Sequence, residues 1–376
     1  MSESSGGKRL IIVGSIIVGI LLVILLVVWF LSKRKPTYVS YDKAIDTMQR
    51  AAAKYYDRNN DKLPVEDGDY ILSYETLVNA NLINPLNELL VDGNTCNAHI
   101  IVTNKSNFYT YTPYLNCENG YKTVELYKVL TAEDNIVTSG KGLYKDENGE
   151  YYFRGDVSNN YIKLGRTSYN KEEVDNIWRI MGIESDNTIK IRKVYPTNSS
   201  YVWDDRYNEE ASRAYGYNKF ELSKIKDIFE KLETSGYVLT KEYRNKIVAK
   251  KLCIAPRKTD DTTKDGSTEC ATLSEKEYNF GVIAPYEFMR ASLDENCKNT
   301  LSRSCANYNY LATSQQVEWL VTPSTESSYQ AYAFDGNTFD YKRTSSSNYL
   351  YLTTHLSDKV LFNSGSGTLE DPYTVR

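Results

Sequence analysis

The sequence predicts an α+β protein: an N-terminal transmembrane helix, a small domain of helix and antiparallel sheet, and a larger α+β domain with antiparallel strands. Three observations predict this class. They are an uncharged apolar run at residues 10–31, a helical apolar pattern soon after it, and several short β-rich segments between turn residues. The predicted boundaries are a cytosolic tail at 1–9, the transmembrane helix at 10–31, a first domain at 38–135, a linker at 136–150 and a second domain at 151–376.

Residues 10–31 form an unbroken run of 22 uncharged, mostly apolar residues. As a helix this run would span about 33 Å, which is enough to cross the hydrocarbon core of a bilayer. Trp29 and a basic cluster end the run, whereas a signal peptide ends in a small-residue cleavage site. The lipid bilayer is therefore a predicted partner through residues 10–31. Ser15 and Gly19 form a small-xxx-small pair, which favours a homo-oligomer.

The basic residues on the two sides of this run are nearly balanced, so the cysteines decide the predicted orientation. All six cysteines follow the run, and they form three sequential pairs: Cys96 and Cys117, Cys253 and Cys270, and Cys297 and Cys305. An even number after the anchor is typical of disulfides in an oxidising space, although six cysteines allow about 15 connectivities. We therefore expect a single-pass protein of the cell membrane with its C-terminal part outside the cell.

The composition argues against a nucleic-acid partner and shows a high content of tyrosine. The whole chain carries a net charge of -4 and residues 1–35 carry +4, so residues 36–376 carry -8. An acidic exterior argues against nucleic acid, which attracts basic proteins. The chain has 33 tyrosines. Tyrosine is common in binding loops, but it also fills the half-buried faces of strands.

The first domain is predicted from a helix, a short second helix and a hairpin. Apolar residues recur every three or four positions over residues 39–58, and Ser73 can cap a short helix at 74–80. Residues 99–103 and 108–112 are β-rich on either side of a polar turn. Cys96 and Cys117 lie just beyond these strands and nearly opposite each other. The geometry of an antiparallel hairpin therefore predicts a disulfide between them.

The helix that follows the anchor and the hairpin with a cysteine pair resemble type IV pilin and pseudopilin-like proteins. The resemblance covers roughly residues 10–130, in YDKAIDTMQRAAAKYYDRNNDKLP and CNAHIIVTNKSNFYTYTPYLNCENGYKT. It implies a pilin-like first domain and a component of a secretion or filament assembly. The chain differs from a pilin precursor in one respect, because no acidic residue lies within residues 10–31.

The second domain is predicted from strands, two helices and an exposed loop. Residues 177–195 read as two strands around a polar turn, and residues 221–233 read as an amphipathic helix. Residues 255–268 are polar and lie between Cys253 and Cys270, so they should form an exposed excursion. Pro285 suits the first turn of a further helix, and Asp335-Gly336 suits the turn of a late hairpin.

Several phrases of this domain resemble a largely uncharacterised extracellular domain family of Gram-positive gut bacteria. They are YYFRG at 151–155, WRI at 178–180, APYEFMRAS at 284–292, VEWLVTP at 317–323 and GSGTLEDPY at 365–373. The resemblance implies a C-type-lectin-like α+β fold. It implies no catalytic residue.

The sequence predicts a binding or adhesion protein of the cell surface rather than an enzyme. It contains no nucleotide-binding, serine-hydrolase or zinc-protease motif, so no catalytic residue, metal ligand or cofactor is predicted. The two histidines, His99 and His355, read as satisfied strand residues. An unknown extracellular protein or glycan is the expected ligand, and the candidate contacts in a late hairpin are Tyr329, Tyr332, Asp335, Asn337 and Tyr341. The alternatives are a pseudopilin-like assembly component and a carboxylate-dependent hydrolase.

Overall fold

The computed structural model describes residue 23 and residues 38–376, except for residues 235, 314 and 315. It is an α+β structure with helices and antiparallel sheets, as the sequence predicts. The predicted tail at 1–9 lies outside the described residues, as does the predicted membrane helix at 10–31 apart from residue 23. No helix within the described part of the chain is long and apolar enough to cross a membrane. Two compact units are present, Met1–Lys122 (unit 1) and Thr123–Arg376 (unit 2).

Unit 1 is built around the helix predicted at residues 39–58. Helix α1 (Tyr41–Arg58) begins after Ser40, whose hydroxyl accepts a hydrogen bond from the backbone N–H of Lys43. Its predicted apolar stripe is the buried face, which consists of Ala44, Ile45, Met48, Ala51, Ala52, Tyr55 and Tyr56. Two short helices follow, α2 (Tyr74–Asn79) and α3 (Leu86–Leu89), and Ser73 caps α2 as predicted.

Helix α1 packs on a three-stranded antiparallel sheet with the strand order β1-β2-β3. The strands are β1 (Gly68–Ser73), β2 (Cys96–Lys105) and β3 (Phe108–Cys117). The predicted hairpin is therefore longer than expected and runs from one cysteine to the other. Cys96 and Cys117 face each other in an unbroken register and form a disulfide.

Strand β1 and helix α3 are elements of unit 1 that the sequence does not predict. Residues 57–70 are mostly polar, and Pro64 and Gly68 interrupt any periodic pattern, so the sequence predicts no strand there. In the structure, residues 68–73 pair along residues 99–104 of β2, and only Leu72 of this strand is buried. A strand that is mostly exposed has little apolar alternation, and its pairing with β2 forms it.

Unit 2 contains a seven-stranded sheet in which β10-β15-β8-β7-β5-β4 lie side by side and β6 also pairs with β7. Its strands are β4 (Gly142–Lys145), β5 (Tyr151–Arg154), β6 (Tyr161–Tyr169), β7 (Glu172–Ile183), β8 (Ile189–Lys193), β10 (Ile247–Val248) and β15 (Thr353–Leu356). Strands β7 and β8 are the predicted pair around a polar turn. The second half of β7 is buried on both faces, so it places side chains in two layers.

The remaining strands of unit 2 form one three-stranded sheet and two pairs. The three-stranded sheet is β11 (Glu318–Pro323), β12 (Gln330–Phe334) and β13 (Phe339–Arg343). The pairs are β9 (Tyr201–Val202) with β14 (Ser347–Asn348), and β16 (Phe362–Ser364) with β17 (Thr374–Val375). Strands β12 and β13 are the predicted late hairpin with its Asp335-Gly336 turn.

The described residues of unit 2 contain four α-helices: α4 (Leu126–Leu130), α5 (Lys224–Thr234), α6 (Lys241–Arg244) and α7 (Pro285–Ala291). Helix α5 begins three residues later than predicted, and Leu222 of the predicted apolar stripe is exposed before it. Helix α7 begins at Pro285 as predicted. The two disulfides of unit 2 join Cys253 to Cys270 and Cys297 to Cys305, so the described cysteines are paired in sequence order.

The segment expected as a linker, residues 136–150, contains an edge strand of the large sheet. Strand β4 pairs with β5, and the turn between them is held by Asp146, whose carboxylate accepts the backbone N–H groups of Asn148 and Glu150. Glycine, asparagine and aspartate were read as signs of a domain junction, whereas here they form a hairpin turn. The compact unit 2 that contains this hairpin extends from Thr123 to Arg376.

Candidate functional site

Unit 2 carries a groove between the large sheet, helix α7 and the excursion that Cys253 and Cys270 close. Its central cleft has a volume of about 270 Å³ and is lined by residues of β5, β7, β8 and α7. An inner pocket of about 60 Å³ shares Glu184, Lys190, Tyr286 and Glu287 with the central cleft. An outer pocket of about 480 Å³ shares Tyr152, Asp265 and Arg290 with it. We call these three adjoining spaces the unit-2 groove.

The floor of the groove depends on the close approach of β5 and β7. Tyr152 lies opposite Gly182, and a Cβ atom at Gly182 would lie 2.2 Å from the carbonyl oxygen of Tyr151. A side chain at residue 182 would therefore push the two strands apart. This approach places the half-buried Tyr151 and Tyr152 beside the central cleft.

Helix α7 places charged and aromatic side chains along one wall. The carboxylate of Glu287 accepts a hydrogen bond from the backbone N–H of Ala284, which fixes the start of the helix. Its other oxygen lies 2.5 Å from the Lys190 Nζ of β8, and both side chains are mostly buried. Burial raises the pKa of the Tyr286 hydroxyl well above its usual value, so this hydroxyl is protonated.

Glu184, at the end of β7, is the centre of an ionic network in the inner pocket. One of its carboxylate oxygens lies 2.9 Å from His355 Nε2, and the other lies 2.9 Å from Lys250 Nζ. Burial would raise the pKa of this carboxyl, but the hydrogen bond from His355 and the charges of His355, Lys190 and Lys250 outweigh burial. The pKa of Glu184 is therefore held well below its ordinary value, and the carboxylate is ionised.

Glu150 lines the same central cleft, and the pKa of its carboxyl shifts in the opposite direction. Burial raises the pKa of its carboxyl, and the negative charges of Asp146 and Glu184 raise it further against the opposing effect of Arg290 and Lys190. The groove thus contains one carboxyl whose pKa is lowered and one whose pKa is raised. Such a pair can hold an ionised and a protonated carboxyl at the same pH.

We expect the Glu184 network to make the stability of unit 2 depend on acid pH. A folded-state pKa below the ordinary value of 4.5 means that the unfolded chain binds the proton more tightly. The stabilising contribution is therefore present above that value and is lost as the pH falls below it. Melting of the full chain between about pH 6 and pH 3 should show a smaller acid-induced loss for Glu184→Gln than for the parent. Equal losses in the parent and the variant would contradict this prediction, and the exposed Glu147→Gln is the control.

The structure does not place the five predicted ligand contacts in this groove. All five lie in or beside the β12–β13 hairpin, and none lines the spaces that form the groove. Asp335 and Asn337 are exposed at its tip, where the Asp335 carboxylate accepts the backbone N–H groups of Asn337 and Thr338. The half-buried Tyr329 packs against Tyr215, with ring centroids 5.1 Å apart.

Tyr332 is a core residue, which corrects the expectation that it is exposed. Only 1% of it is accessible, and its hydroxyl is within hydrogen-bond distance of the hydroxyls of Thr300 and Tyr341. Tyr341 is half-buried beside it, with ring centroids 4.6 Å apart. An alternating pattern of apolar and polar residues could not indicate that Tyr332 is buried, because residues 331–334 of β12 are all buried.

The sequence does not predict the groove, although two of the segments that line it carry the family resemblance of the second domain. YYFRG contributes Tyr151 and Tyr152, and APYEFMRAS contributes Tyr286, Glu287 and Arg290. In both segments, tyrosines next to charged residues were the sequence signal that could have indicated a binding groove. The placement of His355 agrees with its reading as a satisfied strand residue, because it lies in β15 and contacts Glu184. His99 lies in β2 and stacks on Tyr114.

One group of residues in the described part of the chain has the spacing of a metal site, namely Asp92, Cys96 and Cys117. Both sulfur atoms of this group are in the disulfide, so they are not thiolate ligands. The group is therefore part of the disulfide hairpin. Comparison of the chain with known protein families, with curated proteins and with solved structures found no match.

Proposed function

We propose that this chain is a membrane-anchored surface protein whose unit-2 groove binds an extracellular glycan without converting it. The observation that carries the proposal is the groove itself, in which Tyr151, Tyr152 and Tyr286 alternate with charged side chains of both signs. Tyrosine rings pack against the apolar faces of sugars, and carboxylates, lysine and arginine bond to hydroxyl groups. Three disulfides suit an oxidising space outside the cell.

The two family resemblances extend this proposal to the architecture. The packing of α1 on an antiparallel hairpin with a disulfide supports a pilin-like unit 1. The antiparallel sheets, the few helices and the two disulfides of unit 2 support a C-type-lectin-like arrangement. In this proposal, the segment at residues 10–31 anchors the chain and both units lie outside the cell.

The proposal is tested with the purified full chain on an array of glycans, followed by labelling of cells with the best probe. We expect Tyr152→Ala with Tyr286→Ala to abolish binding, because both rings line the central cleft. Asn337→Ala, at the exposed hairpin tip, is the matched control and should bind normally. Loss of binding in the control with retention in the groove variant would move the site to the hairpin. No binding by the folded parent would refute the proposal.

The same probe tests the orientation of the chain. Intact cells that produce the protein should bind the probe as strongly as permeabilised cells do. Labelling that requires permeabilisation would place unit 2 on the other side of the membrane.

The pseudopilin alternative predicts a different result, because a pilin-like precursor would lose its leader. An N-terminus newly created after Gly7 in the mature protein would favour that alternative.

A carboxylate-dependent hydrolase is the second candidate function, and the opposite pKa shifts of Glu150 and Glu184 favour it. In that role Glu150 would supply the proton and the ionised Glu184 would stabilise positive charge. The bound glycan separates the two functions. New reducing ends that form with the parent and do not form with Glu150→Gln would establish a hydrolase. An unchanged glycan after long incubation would favour the binding protein.

A further inference from the structure

We propose that the outer pocket of the groove recognises a sugar acid through the carboxylate of that sugar. This inference rests on the proposed glycan-binding function and names the ligand class. Three cations line the pocket together, namely Arg154 of β5, Lys264 of the excursion and Arg290 of α7. Among the residues that the structure describes, none of these three side chains forms an ion pair.

The two guanidinium groups are held in place by aromatic rings. The Arg290 guanidinium carbon lies 4.4 Å from the ring centroid of Tyr152 and 5.6 Å from that of Tyr286. The Arg154 guanidinium carbon lies 5.0 Å from the ring centroid of Tyr144, and one of its nitrogens donates to the carbonyl of Ser292. Rings fix a guanidinium without neutralising its charge, so both groups keep donors for a carboxylate.

Lys264 adds a third positive charge at a site where like charges already meet. Burial and the charge of Arg154 lower the pKa of its ammonium group, and the side chain is half-buried. An anion in the pocket would remove this repulsion between Lys264 and Arg154. Within the described structure, Arg154 Nε is also buried and has no hydrogen-bond partner, so the described residues satisfy the guanidinium only in part.

The acidic residues of the same pocket select against a polyanion. Asp146, Glu147 and Asp265 also line it. One oxygen of Asp146 accepts the backbone N–H groups of Asn148 and Glu150, and one oxygen of Asp265 accepts two hydrogen bonds from Ser267. Their remaining oxygens can accept hydrogen bonds from hydroxyl groups, but they repel dense negative charge. A sugar unit with one carboxylate and several hydroxyl groups fits both signs, and Tyr152 offers a ring to its apolar face.

The experiment compares two ligands that differ only at their carboxyl groups. The probes are a tetrasaccharide of alternating glucuronic acid and N-acetylglucosamine, and the same tetrasaccharide with its carboxyl groups reduced to alcohols. We expect the full chain to bind the acid at least about tenfold more tightly, because a charge-assisted hydrogen bond contributes more than a neutral one. Lys264→Gln with Arg290→Gln should remove this preference. Lys258→Gln, an exposed lysine of the same excursion, should keep it.

The outcomes separate this inference from the proposed function. Equal binding of the acid and the reduced tetrasaccharide by the parent would overturn the sugar-acid site and leave glycan binding standing. An unchanged preference in the double variant would also overturn it, provided that the variant melts as the parent does. Binding of neither tetrasaccharide would overturn the sugar-acid site as tested, whereas binding of no glycan on the array would refute the proposed function. Preference for a sulfated tetrasaccharide over the carboxylated one would overturn the choice of a sugar carboxylate.

Discussion

Replacing Arg192 with Met should lower the free energy of unfolding of unit 2 by about 3–5 kcal/mol. Arg192 of β8 donates to both carboxylate oxygens of Glu318 of β11, at 2.7 and 2.9 Å. Both side chains are almost completely buried, and the pair joins the large sheet to the three-stranded sheet. The variant would leave the Glu318 carboxylate buried without this guanidinium, and the interior cannot solvate that charge as water does.

Tryptophan fluorescence during urea unfolding measures this effect selectively. Three of the four tryptophans, Trp178, Trp203 and Trp319, lie in unit 2. The fourth is Trp29 of the apolar run, and residues 38–122 contain no tryptophan. Arg192→Met with Glu318→Leu should recover much of the loss, because an apolar pair needs no compensating charge. Lys276→Met removes an exposed ion pair with Glu230 and should cost less than about 1 kcal/mol. A loss in Arg192→Met that is no larger than in Lys276→Met would contradict the prediction.

Replacing Cys96 and Cys117 together with Ser should lower the stability of unit 1 by about 3 kcal/mol. The disulfide joins residues 21 apart in sequence, directly across the β2–β3 hairpin. Without it, the unfolded chain gains conformational freedom, while the register of the two strands still depends on their hydrogen bonds and side-chain packing. We expect the unfolding transition of unit 1 to occur at lower urea concentration, measured by far-ultraviolet circular dichroism.

The disulfide of the excursion provides the matched control. Cys253→Ser with Cys270→Ser should lower the tryptophan transition of unit 2 and leave the transition of unit 1 unchanged. The double variant at Cys96 and Cys117 should show the reverse pattern. Thiol labelling of both Cys96 and Cys117 in the natively isolated protein would show that the bond is absent and would refute the prediction.

Local patterns predicted much of the fold because the elements concerned carry their own signals. The apolar stripe and the Ser40 cap predict α1, and Pro285 predicts the start of α7. The β2–β3 and β12–β13 hairpins follow from β-rich runs around short polar turns, and opposite positions in the first hairpin predict its disulfide. These features depend on neighbours within about 20 residues in sequence.

Elements whose own segments carry no clear apolar pattern were not predictable in this way. Strand β1 has little apolar alternation, and β4 lies in a segment whose glycines suggested a linker. Each becomes a strand by pairing with a neighbour. The burial of Tyr332 likewise depends on Thr300 and Tyr341, which pack around it. Backbone pairing and side-chain packing in three dimensions overrode the local composition at these positions.

The sequence by itself determined the α+β class, the apolar run at 10–31, the main helix of unit 1 and the two hairpins. Only the tertiary structure decided where a ligand could bind. The groove joins residues that are far apart in sequence, such as Glu184 and His355, which are 171 positions apart. A concave surface arises where separate strands, a helix and a loop meet, whereas sequence periodicity reports only which face of each element is buried. The position of the groove therefore follows from long-range packing.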